Sequence, residues 1–252
     1  MALSDDALAE LLHDTAEAVR AALAATDDWG LAGTRPGQYR SDLAADEAAL
    51  AVLGRAEVGV LSEESGLHHG DRDVVVVIDP LDGSTNASRG VPWYAVSLCA
   101  VDGDGPRASL VLDLPRVRRF AAVRGAGAVV EGRPLVPSGA TELGEAIVGI
   151  SGLPERSLGW RQFRAMGALA LDLCAVAEGV TDGYVDTLAR LHGPWDYLGA
   201  LLVCTEAGVS VGDAYDDDLV VVDYAARRTP VAAATPALHD QLMAARRSLH
   251  VA

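Results

Sequence analysis

Apolar residues recur every three to four positions near the start of the chain: Leu8, Leu11, Leu12, Val19, Ala22 and Leu23. The spacing predicts an amphipathic helix, and Ser4 followed by Asp5 and Asp6 supplies its N-terminal signal. A second helix is expected from about Ser41 to Leu53. There Leu43, Leu50 and Leu53 share a face, and Asp46 lies on that same face. A carboxylate on an apolar stripe costs free energy unless it finds a partner.

From Val58 the period changes. VGVLS (58–62), VVVVID (74–79), YAVSLCAV (94–101), ASLVLDL (108–114) and RRFAAVR (118–124) read as strands separated by Gly, Pro and Asp turns. After PSGATELGE, strand and helix patterns alternate. IVGIS, DGYVDT, VSVGD, LVVVD and PVAAAT are expected strands. MGALALDLCAVAEG, WDYLGALLVCTEAG and PALHDQLMAARRSL are expected helices. The pattern therefore predicts an α/β protein. An α+β lobe covers residues 1–140, and an α/β lobe covers 141–252. The seam falls near Val136–Glu145, and the two lobes form one structural unit.

Composition narrows the function. Half of the 252 residues are apolar and 22% are charged, which suits a globular chain with a large core. A formal net charge of −16 argues against a nucleic-acid or anionic-membrane surface. It leaves room for a small phosphorylated substrate, because a divalent cation inverts the local field. Cys99, Cys174 and Cys204 stand singly in apolar runs, which predicts reduced thiols and a cytoplasmic protein. The N-terminus lacks the pattern of a signal peptide, and no run of roughly 18 apolar residues predicts a membrane span.

The stretch VVVVIDPLDGSTN carries the chemistry. Its apolar run ends at Asp79, which is expected to close the strand, and Asp82 follows one turn on. Gly83 permits close approach of a ligand to the backbone. A short helix starting at Ser84 and Thr85 would offer free amides to an anion. Two carboxylates beside an anion site repel that anion unless a cation lies between them, and hard oxygen ligands suit Mg²⁺. A plain Asx turn after a strand is the bland alternative for this stretch. Likewise, Glu63 and Glu64 in SEESG fit a solvated turn, and Asp196 fits a helix cap. Haloacid dehalogenases also end an apolar strand in two aspartates, but as Asp-x-Asp; here the spacing is one residue longer and no matching lysine motif follows.

SEESG, VVVIDPLDGSTN, RAMGALALDLCAVAEGVTDGY and PWDYLGALLVCTEAG occur in this order along the chain. Together they resemble the inositol monophosphatase family, in its magnesium-dependent, lithium-sensitive phosphatase superfamily. The resemblance implies a layered α/β/α/β/α sandwich, a homodimer, and hydrolysis of a phosphate monoester by an activated water with two or three Mg²⁺ ions. Residue by residue, Glu63 resembles a metal ligand that also orients the attacking water. Asp79 resembles a bridging carboxylate, and the Leu81 carbonyl a backbone ligand. Asp82 and Asp196 resemble ligands of a second metal. Gly83, Ser84 and Thr85 match the phosphate-binding turn, where the Ser84 hydroxyl would polarise the water. Asp46 resembles an outer catalytic carboxylate.

The pattern departs from the family where substrates are chosen. VDTLARLHGPWD is about three residues longer than the commoner spacing before the WD motif. Asp186 stands where inositol-specific members carry a sugar-binding glutamate, and the Gly167–Ala168 backbone matches the lining of that same pocket. The loop TRPGQYRSDLAAD lacks a lysine that many members place there. Inositol monophosphate or a related sugar or polyol phosphate is the expected substrate. Fructose 1,6-bisphosphate, histidinol phosphate and 3′-phosphoadenosine 5′-phosphate are alternatives, and a non-catalytic metal- or phosphate-binding protein is another. His68, His69 and His192 are read as carrying no site role, and Trp93 and Tyr94 as packing under the DGST turn.

Overall fold

The computed structural model describes residues 3–249. Two helices open the chain, α1 (Asp5–Ala24) and α2 (Arg40–Leu53). Ser4 caps α1 by accepting from the Ala7 amide, as its sequence signal predicts. Then come β1 (Gly59–Ser62), β2 (Gly66–His68), β3 (Val75–Asp82), the short helix α3 (Ser84–Arg89), β4 (Ala95–Asp102), β5 (Gly105–Asp113), β6 (Arg118–Val123), β7 (Gly127–Val130) and β8 (Arg133–Pro134). These strands form one sheet in the order β2-β1-β3-β4-β5-β6-β7-β8. The second half contributes β9 (Ile147–Ser151), β10 (Gln162–Arg164), α4 (Leu169–Ala177), β11 (Gly183–Asp186), α5 (Pro194–Ala207), β12 (Ser210–Asp213), β13 (Pro230–Ala233) and α6 (Pro236–Arg247). Its sheet runs β10-β9-β11-β13-β12.

The period of two along β3 and β4 fixes the layers. Val76, Ile78, Val96, Leu98 and Ala100 face α1 and α2, where Leu8, Leu12, Val19 and Leu53 complete a core. Val75, Val77, Ala95 and Cys99 point the other way, onto Leu173 of α4 and Leu198 and Leu202 of α5. The same central core reaches Tyr184 and Ala232 of the second sheet. Beyond that sheet, Val148, Ile150 and Val231 pack on Leu238 and Leu242 of α6. The result is the expected α/β/α/β/α stack. All three cysteines are buried and free. Among the described residues no helix is long and apolar enough to cross a membrane.

Three expectations need correction. Leu43 is 40% exposed, and the buried face of α2 is instead Ser41, Asp42, Ala45, Asp46, Ala49 and Leu53. Small side chains let α2 lie close to its neighbours, and that docking turns Leu43 outward. The LVVVD segment forms no strand. Both edges of β13 are already taken by β11 and β12, so Leu219 and Val222 pack by their side chains on the central core. Finally, β3 does not stop at Asp79. Pairing with β4 passes from Asp79↔Ser97 to Asp82↔Ala95, a bulge with one extra residue on β3. Pro80 has no amide for the ladder, which suits it to such a position.

Candidate active site

The bulge brings both aspartates of DPLD out of the sheet core without leaving the strand. Asp79 is 2% exposed, and its Oδ1 accepts the Leu81 amide at 2.9 Å. Asp82 is also buried, and its Oδ2 accepts the Ala170 amide at 2.7 Å, in the first turn of α4. β1 runs parallel to β3 and ends beside it, Ser62 opposite Ile78, so that Glu63 emerges next to Asp79. Asp196 arrives from the first turn of α5, where its Oδ2 accepts the Gly193 amide at 2.7 Å. Glu63, Asp79 and Asp196 each place one carboxylate oxygen within 4.8 Å of the others.

Crowding and burial shape the acidity of these groups. Burial, with Asp196 and Glu64 close by, pushes Glu63 up to about 8. Burial, then Glu63, Asp82 and Asp196, raises Asp79 well above the usual carboxylate range. Burial and Asp196 do the same to Asp82. Carboxylates forced together in low dielectric hold protons unless a cation replaces them. Hard oxygen donors at this separation form a donor set that fits a divalent ion such as Mg²⁺.

Gly83 follows directly, with φ of +86°. A β-carbon there would also meet the Ala168 Cβ and the Trp93 carbonyl at 3.0 Å. Only glycine satisfies both the left-handed backbone and the close approach. The amides of Ser84 and Thr85 open α3, where an intrahelical partner is lacking; Ser84 is half-buried and Thr85 exposed. Asn86 ties the turn down by donating to the Trp93 and Met166 carbonyls, both at 2.8 Å. Trp93 is thereby packed against the turn, and its indole donates to Asp172 at 2.9 Å. Ala168 is buried at the N-terminus of α4, its methyl towards Gly83.

The other expected residues stand around this centre. Asp46 is buried and accepts from the Ser62 hydroxyl at 2.5 Å, while Ser62 Oγ accepts the Glu64 amide at 3.1 Å. Asp46 thus fixes the backbone beside Glu63. Asp186 is wholly buried, with Oδ2 facing His192 at 3.5 Å. Two cavities of about 490 and 500 Å³ lie elsewhere, one beside Arg55 and Asp71 and one beside Glu206 and Asp217; none of the cluster carboxylates lines either.

Sequence reasoning missed a ring of partners. Arg35 donates to the Glu63 carbonyl at 3.1 Å and to Glu64 Oε2 at 2.6 Å, and Gln38 donates to the same Glu64 oxygen. Arg35 comes from the loop noted for lacking a lysine. Tyr224 donates to the Glu63 carbonyl at 3.0 Å and packs against Trp195, with ring centroids 5.0 Å apart and planes tilted by 36°. The Arg227 guanidinium lies over the Trp195 ring at 5.1 Å. His192, set aside on sequence grounds, sits beside Asp196. Burial pulls its imidazole down, but Asp196 and Asp186 outweigh that and hold it above its ordinary value.

A five-layer α/β fold with three carboxylates converging beside a glycine turn defines a class: an α/β protein whose acidic cluster could hold a metal ion. The inositol monophosphatase family model matches residues 41–250, and the chain belongs to that family. It is 31% identical over 208 residues to the fructose-1,6-bisphosphatase/inositol-1-monophosphatase of Archaeoglobus fulgidus, covering 81% of each chain. It is 34% identical over 193 residues to the Nus factor SuhB of Xylella fastidiosa, covering 69% of each. The inositol monophosphatase structure from Anabaena superposes with a TM-score of 0.79 at 25% identity, covering 97% of this chain and 96% of that one.

Proposed function

We propose that the chain is a Mg²⁺-dependent phosphate monoester hydrolase acting on inositol monophosphate or a related sugar or polyol phosphate. One observation carries this most: Glu63, Asp79 and Asp196 gather their oxygens within 4.8 Å immediately beside the Gly83 turn. Glu63, Asp79, Asp82, Asp196 and the Leu81 carbonyl would hold two or three ions. Bound there, the ions supply the acidity that makes water a nucleophile near neutral pH and offset charge on the phosphoryl group. The amides of Ser84 and Thr85 bind phosphate oxygens. The Glu63 carboxylate and Ser84 hydroxyl orient the attacking water. That water forms a new P–O bond as the ester P–O bond breaks, and the proton it gives up is balanced by the one the leaving alkoxide takes up to become the alcohol. Asp46 holds Glu63 in place through Ser62.

Lithium sensitivity, a homodimer and a cytoplasmic location belong to the same proposal; the free buried thiols support the last. The relatives named Nus factor SuhB suggest a second reading, a binding role on the same fold. The complete set Glu63, Asp79, Asp82 and Asp196 favours the hydrolase over a role in binding another macromolecule, since metal-assisted hydrolysis uses every one of these carboxylates and such a role uses none of them. The test is a panel of phosphate monoesters assayed with Mg²⁺: inositol 1-phosphate, fructose 1,6-bisphosphate, histidinol phosphate and 3′-phosphoadenosine 5′-phosphate. Turnover of a polyol or sugar phosphate above the others supports the proposal. No turnover of any would leave the binding role.

A further inference from the structure

The loop that joins β11 to α5 ends on His192, and the imidazole lies between two carboxylates. Its Nδ1 is 3.3 Å from Asp196 Oδ2, and its Nε2 is 3.5 Å from Asp186 Oδ2. Asp186 has no exposed surface. Its Oδ1 accepts the Leu188 amide at 2.9 Å; among the described residues neither its Oδ2 nor the His192 Nε2 that faces it has a hydrogen-bond partner, so each is the other's polar neighbour. The loop is tied down on both sides. His192 and Arg228 exchange main-chain hydrogen bonds of 3.2 and 2.8 Å. The buried Arg246 donates to the carbonyls of Asp186 and Leu188 at 2.5 and 3.1 Å. Gly193 leaves no room for a side chain, since a β-carbon would meet the Trp195 ring at 2.4 Å. His192 is therefore held in place by the backbone on either side of it.

We propose that His192 is a positioning residue for the metal cluster, and that Asp186 acts on Asp196 through it rather than on the substrate directly. A carboxylate free to turn about its last torsion has a broad preference, so a ligand fixed in advance binds with less ordering cost. The Gly193 amide and His192 both hold Asp196 Oδ2, while Oδ1 has no hydrogen bond among those described. One Asp196 carboxylate oxygen lies within 4.8 Å of oxygens of Glu63 and Asp79. The Asp186 carboxylate, 3.5 Å from Nε2, favours by its charge the ring orientation that turns Nε2 towards it. Groups in this outer position raise metal affinity by aiming the ligand. An apolar side chain would fill the same space but leave the buried Asp186 Oδ2 with no polar neighbour. The inference rests on the metal-binding function proposed above.

The test uses the full chain and reads Mg²⁺ binding by isothermal titration calorimetry, with melting in EDTA as a check on folding. His192→Ala should weaken Mg²⁺ binding by about tenfold to a hundredfold. His192→Asn should recover most of this, because an asparagine amide can stand where Nδ1 stands. Asp186→Asn should also weaken binding in the parent, yet add little on top of His192→Ala, since both act in one chain of contacts. If His192→Ala does not fold, the Asp186→Asn and His192→Asn variants carry the comparison. Parent-like Mg²⁺ affinity in His192→Ala would overturn the inference. So would an Asp186→Asn variant with parent-like affinity but a raised KM for a polyol phosphate, which would put Asp186 on the substrate. A parent that binds no Mg²⁺ would overturn the proposed function as well, whereas a binding parent with indifferent variants overturns this inference alone.

Discussion

The Tyr224 hydroxyl lies 3.0 Å from the main-chain carbonyl of Glu63. A loop from the second half of the chain thus grips the backbone of a cluster residue from the first. Arg35 reaches the same oxygen at 3.1 Å from the loop between α1 and α2. The main-chain carbonyl of Glu63 is held from two directions, so this cluster residue is placed by long-range contacts as well as by its own strand.

That grip is testable through Arg35. Its guanidinium pairs with Glu64, whose side chain is only 5% exposed. Arg35→Ala leaves Glu64 with Gln38 alone and should cost about 1.5–3 kcal/mol, the usual worth of a hydrogen bond to a charged group. Tyr224→Phe removes one bond and leaves Arg35 in place, so its cost should be smaller. Urea unfolding of both variants checks the order.

Asp79→Asn should abolish turnover without unfolding the protein. Asparagine can still accept the Leu81 amide, and one like charge leaves a crowded, buried site. Without metal, the variant should melt at the parent temperature or above it. A large fall in melting temperature in EDTA would instead make Asp79 a structural residue.

The carboxylate cluster also predicts how metal-free stability varies with pH. Glu63 moves from 4.5 to about 8, and Asp79 and Asp82 move upward too. A raised value in the folded state means that folding takes up protons. The contribution is full below pH about 4.5 and is lost as pH rises through about 8. In EDTA the melting temperature should fall across that window. Mg²⁺ should restore more stability at pH 8 than at pH 5, because at higher pH there is more repulsion for it to offset. Thermal scans with and without Mg²⁺ at the two pH values check both statements.

Gly83→Ala should damage the turn twice over, through the left-handed backbone and through contact with Ala168 and Trp93. The backbone part alone costs about 1–2 kcal/mol. For a chain of this size that is a melting shift of roughly 2–8 °C. Turnover should fall further than stability, since the amides of Ser84 and Thr85 move with the turn.

Much of this was legible in the residues. The period of two in VVVVID and YAVSLCAV, with apolar residues on both faces, marks strands covered on both sides, and the structure stacks helices on each side of them. The Gly83 turn of DPLDGST reads locally because a glycine at positive φ is local backbone chemistry, whereas the bulge that carries β3 past Asp79 depends on pairing with β4 and was not legible in the residues. What could not be read depends on contacts between distant segments. Leu43 looked like a core residue by spacing, but the phase of a helix is set by what it docks against. LVVVD had strand propensity, but its neighbours left it no edge on β13. Arg35, Tyr224 and His192 each lie in irregular loops, where no period signals which side chain turns inward.

The most direct measurement is release of inorganic phosphate from inositol 1-phosphate and a sugar phosphate, first with Mg²⁺, then in excess EDTA, then with Mg²⁺ restored, alongside Glu63→Gln throughout. Lithium is added to the restored sample. The account predicts release, loss and recovery in turn, inhibition by lithium, and little release by the variant at any stage. Undiminished release in excess EDTA, or parent-like release by Glu63→Gln, would contradict it.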